Sequence, residues 1–427
     1  MAMDEDATRT TTTGRSHPAR DPPDSPAVRE LATALTPVTA GDLLAGIVGQ
    51  AGGRGRDAFV DAVKSHLGAS SAATYCSYRR ALGAAFSRLR EHGGADRSVL
   101  LLPAFCSSDF ADAADGVGLD VRRYDVDPRT LAADLESLRA ALGEDVLAVV
   151  AVNVLGFGSD MTALESICTE SDAALVEALG YALGASYDGR PLGTFGDLSV
   201  VNFQQGKPIP VGGGMVLSQR SDCSFSDAGR EQSAPNVAAL TGYALCSRPR
   251  PYYAYSRIAP ALARVLGGTD ELTTHPGSKF DVAYGEHSPT MSDFQGAIAG
   301  RVFDRLPETR RDRAATARAY ADAFEGYEHV RGIQPIDGLE GHQWVRYPLV
   351  VSSNELRAEI KRTLAKHGVQ APLLYNWPKV RGREFPGARA LQRRILPLPT
   401  HPFVDDDDVH RIVAIVHHVA HEYENRI

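Results

Sequence analysis

The loop Gln204-Gln205-Gly206-Lys207-Pro208 sets one lysine in a Gly/Pro turn, and the triplet Gly212-Gly213-Gly214 follows it. A partly desolvated lysine amine can attack an aldehyde and hold it as a Schiff base. A lysine in a flexible turn is otherwise a solvated surface charge, so the loop alone leaves both readings open. It is not a phosphate-binding P-loop, because Pro208 stands where GxxxxGK[ST] requires Ser or Thr. Only six of the 45 basic residues are lysine (64, 207, 279, 361, 366 and 379), which makes this one easy to single out.

The elements that must carry this loop are read from hydrophobic pattern. Val99–Leu102, Val121–Tyr124, Leu147–Val152 and Ala174–Val176 read as strands. Between and around them Phe59–Leu67, Arg80–Glu91, Phe110–Val117, Leu131–Leu142 and Ala163–Glu170 read as helices. Alternation of this kind predicts an α/β fold, a mostly parallel sheet with helices on both faces. Ligands of such sheets sit at the carboxyl ends of the strands, which directs attention to Pro103–Ser108, Asn153–Phe157 and Glu177–Tyr181. Leu198–Phe203 and Met215–Ser218 read as strands flanking the lysine loop.

Leu31, Leu35, Leu43, Leu44 and Ile47 suggest short helices, one of them starting at Gly41-Asp42. Ser292–Phe324 reads as one long helix. Val345–Val351 (strand), Glu355–His367 (helix) and Val409–His421 (helix) predict a smaller C-terminal α+β domain. The Asp405–Asp408 run reads as a helix N-cap complementing the macrodipole rather than a metal site. Residues 1–30, rich in Thr, Asp, Arg and Pro, read as a disordered tail. Residues 31–290 read as the large domain and 291–427 as a linking helix and the small domain; 220–285 have no clear periodicity.

The 427 residues are 43% hydrophobic and 23% charged, ordinary values for a globular protein with a sizeable core. A net charge of −8 argues against a partner held by phosphate neutralisation, so no nucleic acid is expected. No apolar run approaches the roughly 20 residues of a membrane span, and the N-terminus has no signal-peptide pattern. Five widely spaced cysteines without a CxxC pair predict no metal knuckle or disulfide framework and fit a reducing cytoplasm.

Leu175–Asp197 resembles the DegT-type sugar aminotransferases, fold-type I pyridoxal phosphate (PLP) enzymes. Their pattern is an apolar strand ending Glu-Asp, then Ala-x-Ala-Leu-Gly-Ala, then Gly-x-x-x-Gly-x-Phe-Gly-Asp, with a lysine ten residues later; here Asp197 precedes Lys207 by ten. Leu102–Cys106, Tyr124–Leu131, Asn153–Met161, Met291–Ile298 and Leu396–Pro402 match further segments in order, over about residues 40–425. The resemblance implies the fold-type I PLP-transferase fold, a Lys207 Schiff base, a keto-sugar or related carbonyl substrate, and a homodimer with a shared active site.

Transferred residue by residue, it also implies a cofactor site. Ser77-Tyr78-Arg79 falls on the phosphate turn. Cys106 and Ser107 fall at the first strand end, where the ring-stacking aromatic is replaced. Asn153 falls at the next strand end, and Asn202 on a position usually held by Ser. Tyr181 falls where Gln or His meets the cofactor's ring oxygen. The pyridine-nitrogen Asp falls on Ala178, with Glu177 one residue before it and expected on the other face of the strand. Trp344, Arg346, Tyr375, Asn376 and Trp377 fall on strands and loops expected to face the substrate. These departures keep two alternatives beside transamination: a PLP enzyme of different chemistry, and a scaffold that has lost transamination and serves as a binding or partner subunit.

Overall fold

The computed structural model describes residues 28–93, 96–256, 289–374 and 384–426. The predicted tail lies almost entirely outside them, as do Tyr375, Asn376 and Trp377.

Seven strands form the central sheet: β1 (Ser71–Tyr75), β2 (Val99–Pro103), β3 (Asp120–Tyr124), β4 (Val146–Val152), β5 (Ala174–Ala178), β8 (Leu198–Asn202) and β9 (Gly214–Ser218). Two short strands, β6 (Ser186–Tyr187) and β7 (Arg190–Pro191), lie between β5 and β8 in sequence and pair with each other. The spatial order is β1-β9-β8-β5-β4-β2-β3. The strands β8, β5, β4, β2 and β3 pair in parallel, and β9 runs antiparallel to both its neighbours. The expected mostly parallel sheet is therefore the one observed.

The sheet is covered on both faces, which is why its strands read as continuous apolar runs rather than alternating ones. Leu101, Val149, Leu175, Val201 and Leu217 enter one core layer. Their neighbours Leu100, Val150, Val176, Val200 and Val216 enter the other. The helices α3 (Tyr78–His92) and α4 (Asp109–Gly116) pack on the second face. On the first lie α1 (Ala40–Gly52), α2 (Gly55–Leu67) and α6 (Met161–Glu170), while α5 (Leu135–Ala141) lies against β3.

Several elements differ from the sequence reading for local reasons. Residues 31–38 are not helical. The first helix begins at Ala40, where Thr39 and Asp42 form a capping box. Leu131 has φ of 66°, so its helix cannot start there; Asp134 caps a shorter one by accepting from Glu136 N and Ser137 N. Strand β1 was not read from sequence, because Ser71-Ala-Ala-Thr-Tyr75 carries little apolar signal. The unassigned stretch after 220 contains α7 (Val237–Cys246). The single helix expected over 292–324 is two, α8 (Asp293–Asp304) and α9 (Leu306–Phe324), which meet at Arg305, with Pro307 at the start of the second. Helix α8 packs on both α1 and α2.

The C-terminal part builds a three-stranded antiparallel sheet from β10 (Val330–Gly332), β12 (Arg346–Val351) and β13 (Ile395–Pro399); the short β11 (Leu339–Glu340) pairs instead with β6. Helices α10 (Asn354–Lys366), α11 (Pro386–Arg394) and α12 (Asp406–Glu424) accompany it. The acidic run does cap a helix: Asp405 and Asp408 form a capping box on α12, and Arg411 and Arg29 pair with Asp408. Two other motif aspartates are also structural. Asp125 accepts from the first N–H groups of α11, Gly387 and Ala388, each at 2.8 Å. Asp160 caps α6.

Candidate active site

Lys207 lies at the carboxyl edge of the parallel sheet, in the loop joining β8 to β9. Its N–H donates to Gln204 O (3.2 Å), and Thr36 Oγ1 donates to its carbonyl (2.9 Å), so the backbone of the turn is held from both sides. The Gly213 backbone, at φ of 89°, passes so close to β1 that a Cβ there would come within 2.7 Å of Tyr75 O. That is why the lysine loop ends in glycines.

The Lys207 Nζ rests over the Tyr181 ring, 3.4 Å from its centroid. Arg346, the first residue of β12, reaches over from the C-terminal domain and donates from Nη1 to Tyr181 Oη (2.9 Å). Arg346 Nε is buried and without a hydrogen-bond partner. Desolvation pushes the Lys207 pKa down, against the opposing pull of the Tyr181 phenol. The Tyr181 phenol is held down at about 8: burial raises it, and the charges of Arg346 and Lys207 more than offset that. A Cβ at Gly180 would lie 3.1 Å from the Asn202 Cβ and 3.8 Å from Nζ, so the bare backbone there keeps space open beside the amine.

The other expected residues have varied partners. Asn153, buried at the end of β4, donates from Nδ2 to Ala178 O at 3.4 Å. Asn202 is tied to Gln204 by two hydrogen bonds and shapes the lysine turn. Ser77 caps α3 by accepting from Arg80 N (3.3 Å), which places a 15-residue helix's N-terminus at this edge. Tyr78 is buried and packs edge-on against Phe110, a core position rather than a cradle wall. Cys106 is buried, its thiol pushed up to about 11 by desolvation, which leaves it un-ionised. Trp344 stacks among Phe157, His342 and Tyr347 as part of the domain's packing and does not meet Lys207. Asp197, ten residues before Lys207, binds Leu175 N (2.8 Å) and so joins β5 to the start of β8; the spacing reflects sheet construction, not chemistry.

Asp109, at the start of α4, was not singled out from sequence. It accepts from Ser107 Oγ (2.9 Å), pairs with Arg79 (3.0 Å), and its field reaches Lys207. Asp112 pairs with the same Arg79 at 3.1 Å. A strand end followed by Ser-x-Asp at a helix start was the available signal.

Glu177 faces away from this edge, as the strand period requires. Its carboxylate, fully buried, accepts from Gly193 N (2.7 Å), Phe195 N (2.7 Å) and Gly196 N (2.8 Å). It therefore fixes the 193–196 turn and does not replace the missing aspartate. Burial lifts its pKa from an ordinary 4.5 to about 7 despite the three donors. A folded-state value raised this way gives stability that is full below about 4.5 and is lost as the pH rises through about 7. Glu177→Ala, which orphans three buried N–H groups, is expected to lower the unfolding free energy by about 2–4 kcal/mol. It should also flatten the pH dependence of stability across that window, as denaturant melts from pH 4 to 8 will show.

A sequence model of the DegT/DnrJ/EryC1/StrS aminotransferase family matches residues 42–224 and 275–417. The chain belongs to this family. Among curated relatives, dTDP-4-dehydro-2,3,6-trideoxy-D-glucose 4-aminotransferase of Saccharopolyspora spinosa is 24% identical over 333 residues, 75% of this chain and 79% of its own. Among solved structures, the aminotransferase TlmJ of Streptoalloteichus hindustanus superposes with a TM-score of 0.69 at 22% identity, covering 93% of this chain and 99% of that one. PseC of Helicobacter pylori, an aminotransferase involved in the biosynthesis of pseudoaminic acid, gives 0.71 at 17% identity, covering 92% and 100%.

The cofactor of this DegT/DnrJ/EryC1/StrS member is pyridoxal phosphate, and the residues fit it at two ends. Lys207 offers a partly desolvated amine for the aldehyde, beside the open space at Gly180. The N-terminus of α3, with Ser77 and Arg79, offers donors and charge to the phosphate, although Arg79 must then share its guanidinium with Asp109 and Asp112. At the position where the family resemblance implies the ring-nitrogen aspartate, this chain has Ala178.

Proposed function

We propose that this protein is a PLP-dependent aminotransferase that places an amino group on a keto sugar, in the manner named for its relatives. The observation that carries the reading is the Lys207 amine, desolvated and seated at the carboxyl edge of the parallel sheet in a chain of this family. Pyridoxal phosphate, when bound, supplies an electron sink that acidifies the carbon next to the transferred nitrogen. The chain's own part is proton handling and orientation. Lys207, its pKa lowered, has more free amine near neutral pH than an ordinary lysine and can take a proton and return it. Tyr181 and Arg346 hold that amine in place from one side. The N-terminus of α3 and Arg79 fix the anionic end. The test is amino transfer from glutamate to a panel of nucleotide-linked keto sugars, with the amino sugar detected by mass. Absence of amine product across 3-keto and 4-keto sugars would remove the reading.

The same reading makes the protein a cytoplasmic homodimer. Five unpaired cysteines support a reducing compartment, and among the described residues no helix is long and apolar enough to cross a membrane. Leu44, Ile47 and Val48 on α1 are 62%, 56% and 64% exposed, and Leu245 on the adjoining α7 is 67% exposed, an apolar set that supports burial against a second copy. Sedimentation at micromolar concentration is expected to give a dimer. The double variant Leu44→Asp/Val48→Asp should shift it toward monomer; a monomeric wild-type protein overturns the reading.

A further inference from the structure

A cavity of about 600 Å³ opens on the C-terminal domain, between the start of α10 and the outward face of α11. Ser353, Asn354 and Glu355 line one wall, and Arg389, Arg393 and Arg394 line the other. The second wall follows from the helix period. Helix α11 buries Gly387, Ala388 and Leu391, and Asp125 holds its first N–H groups. Arg389 and Arg393, four residues apart, therefore share the exposed face, with Arg394 beside them. Behind them a fourth guanidinium ties the walls together. Arg357 of α10 is 7% exposed and donates to Gln392 O of α11 (2.5 Å) and to Asn354 Oδ1 (2.7 Å). Among the described residues it has no carboxylate partner, and burial pushes its pKa down.

Arg393 and Arg394 make no hydrogen bond or ion pair with any described residue. Glu355 is the one acidic residue in the lining. Four guanidiniums thus face one carboxylate, in a chain whose net charge is −8. Like charges held this close repel one another unless an anion sits among them. The first wall also has donors to give. Ser353 Oγ accepts only from Leu356 N, so the N–H groups of Asn354 and Glu355 have no partner within the helix. Guanidinium forks bind phosphate oxygens two at a time. A cluster of them suits a multiply charged phosphate better than a singly charged carboxylate. The cavity volume lies in the range of small-ligand sites. It is not the lysine site: β12 separates Ser352 from Arg346 by six residues, about 20 Å at a strand's rise of about 3.3 Å per residue.

We propose that this cavity binds a phosphate-bearing anion, a free diphosphate or the diphosphate of a nucleotide, between the arginines of α11 and the start of α10. Its occupancy would clamp α10 to α11, and both helices pack on β12 and β13. The site is thus an effector site remote from the lysine, and it does not depend on the amino-transfer reading.

The test uses calorimetry on the full-length chain at about 0.15 M salt, with pyrophosphate as the probe and dTDP as a second arm. The double variant Arg393→Gln/Arg394→Gln should weaken pyrophosphate by at least about tenfold. Its melting temperature without ligand should stay that of the wild type, since both side chains are exposed and unpaired. Pyrophosphate should raise the melting temperature of the wild type and not of the double variant. Glu355→Gln, which removes the opposing charge, should tighten binding by about two- to fivefold, a gain that a folding defect cannot produce. Arg79→Gln, at the phosphate end of the cofactor site, should leave this binding unchanged. Equal affinity for dTDP and pyrophosphate supports a free diphosphate as the ligand; tighter dTDP supports a nucleotide. Binding that survives in the double variant, or that Arg79→Gln abolishes, overturns the proposal. So does binding of a polyglutamate peptide with none of pyrophosphate, which would make the patch a protein-docking surface.

Discussion

Lys207→Ala is expected to abolish amino transfer, with a loss of about 10⁴-fold or more, while the protein stays folded. The substitution removes both the covalent anchor for the aldehyde and the base that moves the proton, and general acid–base catalysis alone is worth roughly 10²–10⁴-fold. The fold should tolerate it, because the turn is held through backbone contacts to Gln204 and Thr36 rather than through the amine. Borohydride reduction in the presence of pyridoxal phosphate, followed by peptide mapping, should label Lys207 in the wild type and nothing in the variant. The labelling rate should rise with pH along a curve whose midpoint lies below that of an ordinary lysine, since desolvation lowers this one. Labelling at another lysine, or none, would overturn the assignment.

The second large effect is a gain. Ala178 ends β5, is 4% exposed, and contributes to the core layer on the α3 and α4 side of the sheet. Glu177 cannot help, because its carboxylate is committed to Gly193, Phe195 and Gly196 on the opposite face. If Ala178 meets the ring nitrogen, as the resemblance implies, no carboxylate would hold a proton there and the cofactor's electron-withdrawing power would be weak. Ala178→Asp is therefore expected to tighten cofactor binding and speed the half-reaction with glutamate. A preorganised charge contact of about 2–4 kcal/mol corresponds to about 30- to 1000-fold in rate. The same substitution should destabilise the cofactor-free protein by about 1–3 kcal/mol, the cost of an unpaired buried polar group. Added cofactor should reverse that loss. Stopped-flow half-reactions and melting curves with and without cofactor read both. A variant that is merely less stable, with no gain in affinity or rate, would mean that the site manages the ring nitrogen in another way.

Much of the scaffold was legible because sheet and cap signals are local. The apolar runs at 99–102, 147–152 and 174–176 are each a strand of the parallel sheet, and the strand-end rule points to Asn153 and Tyr181 from the sequence alone. Asp405, with its partner three residues on, is a cap wherever the helix packs. What misled the reading was also local: Leu131 looked helical by composition, but its positive φ belongs to a turn set by Asp127 and Asp134. The motif aspartates 125, 160 and 197 carried the family resemblance yet serve strand joints and helix caps, so resemblance spoke more strongly for the fold than for the chemistry.

By itself the sequence determined that a lysine would sit in a glycine-bounded turn beyond the strands of a parallel sheet, which follows from strand period and spacing along the chain. That alanine stands where the family has its ring-nitrogen aspartate is what the resemblance implies. Only the tertiary structure decided what surrounds that lysine. Tyr181 lies in the turn after β5 and Arg346, 165 residues on, opens β12 of the other sheet, so no periodicity could bring the phenol between two cations. Nor could spacing show that Arg79 is shared with Asp109 and Asp112, or that Glu177 is consumed by a turn 16 to 19 residues later. Charge partners are set by which surfaces close on one another, and burial then fixes how strongly each charge is felt.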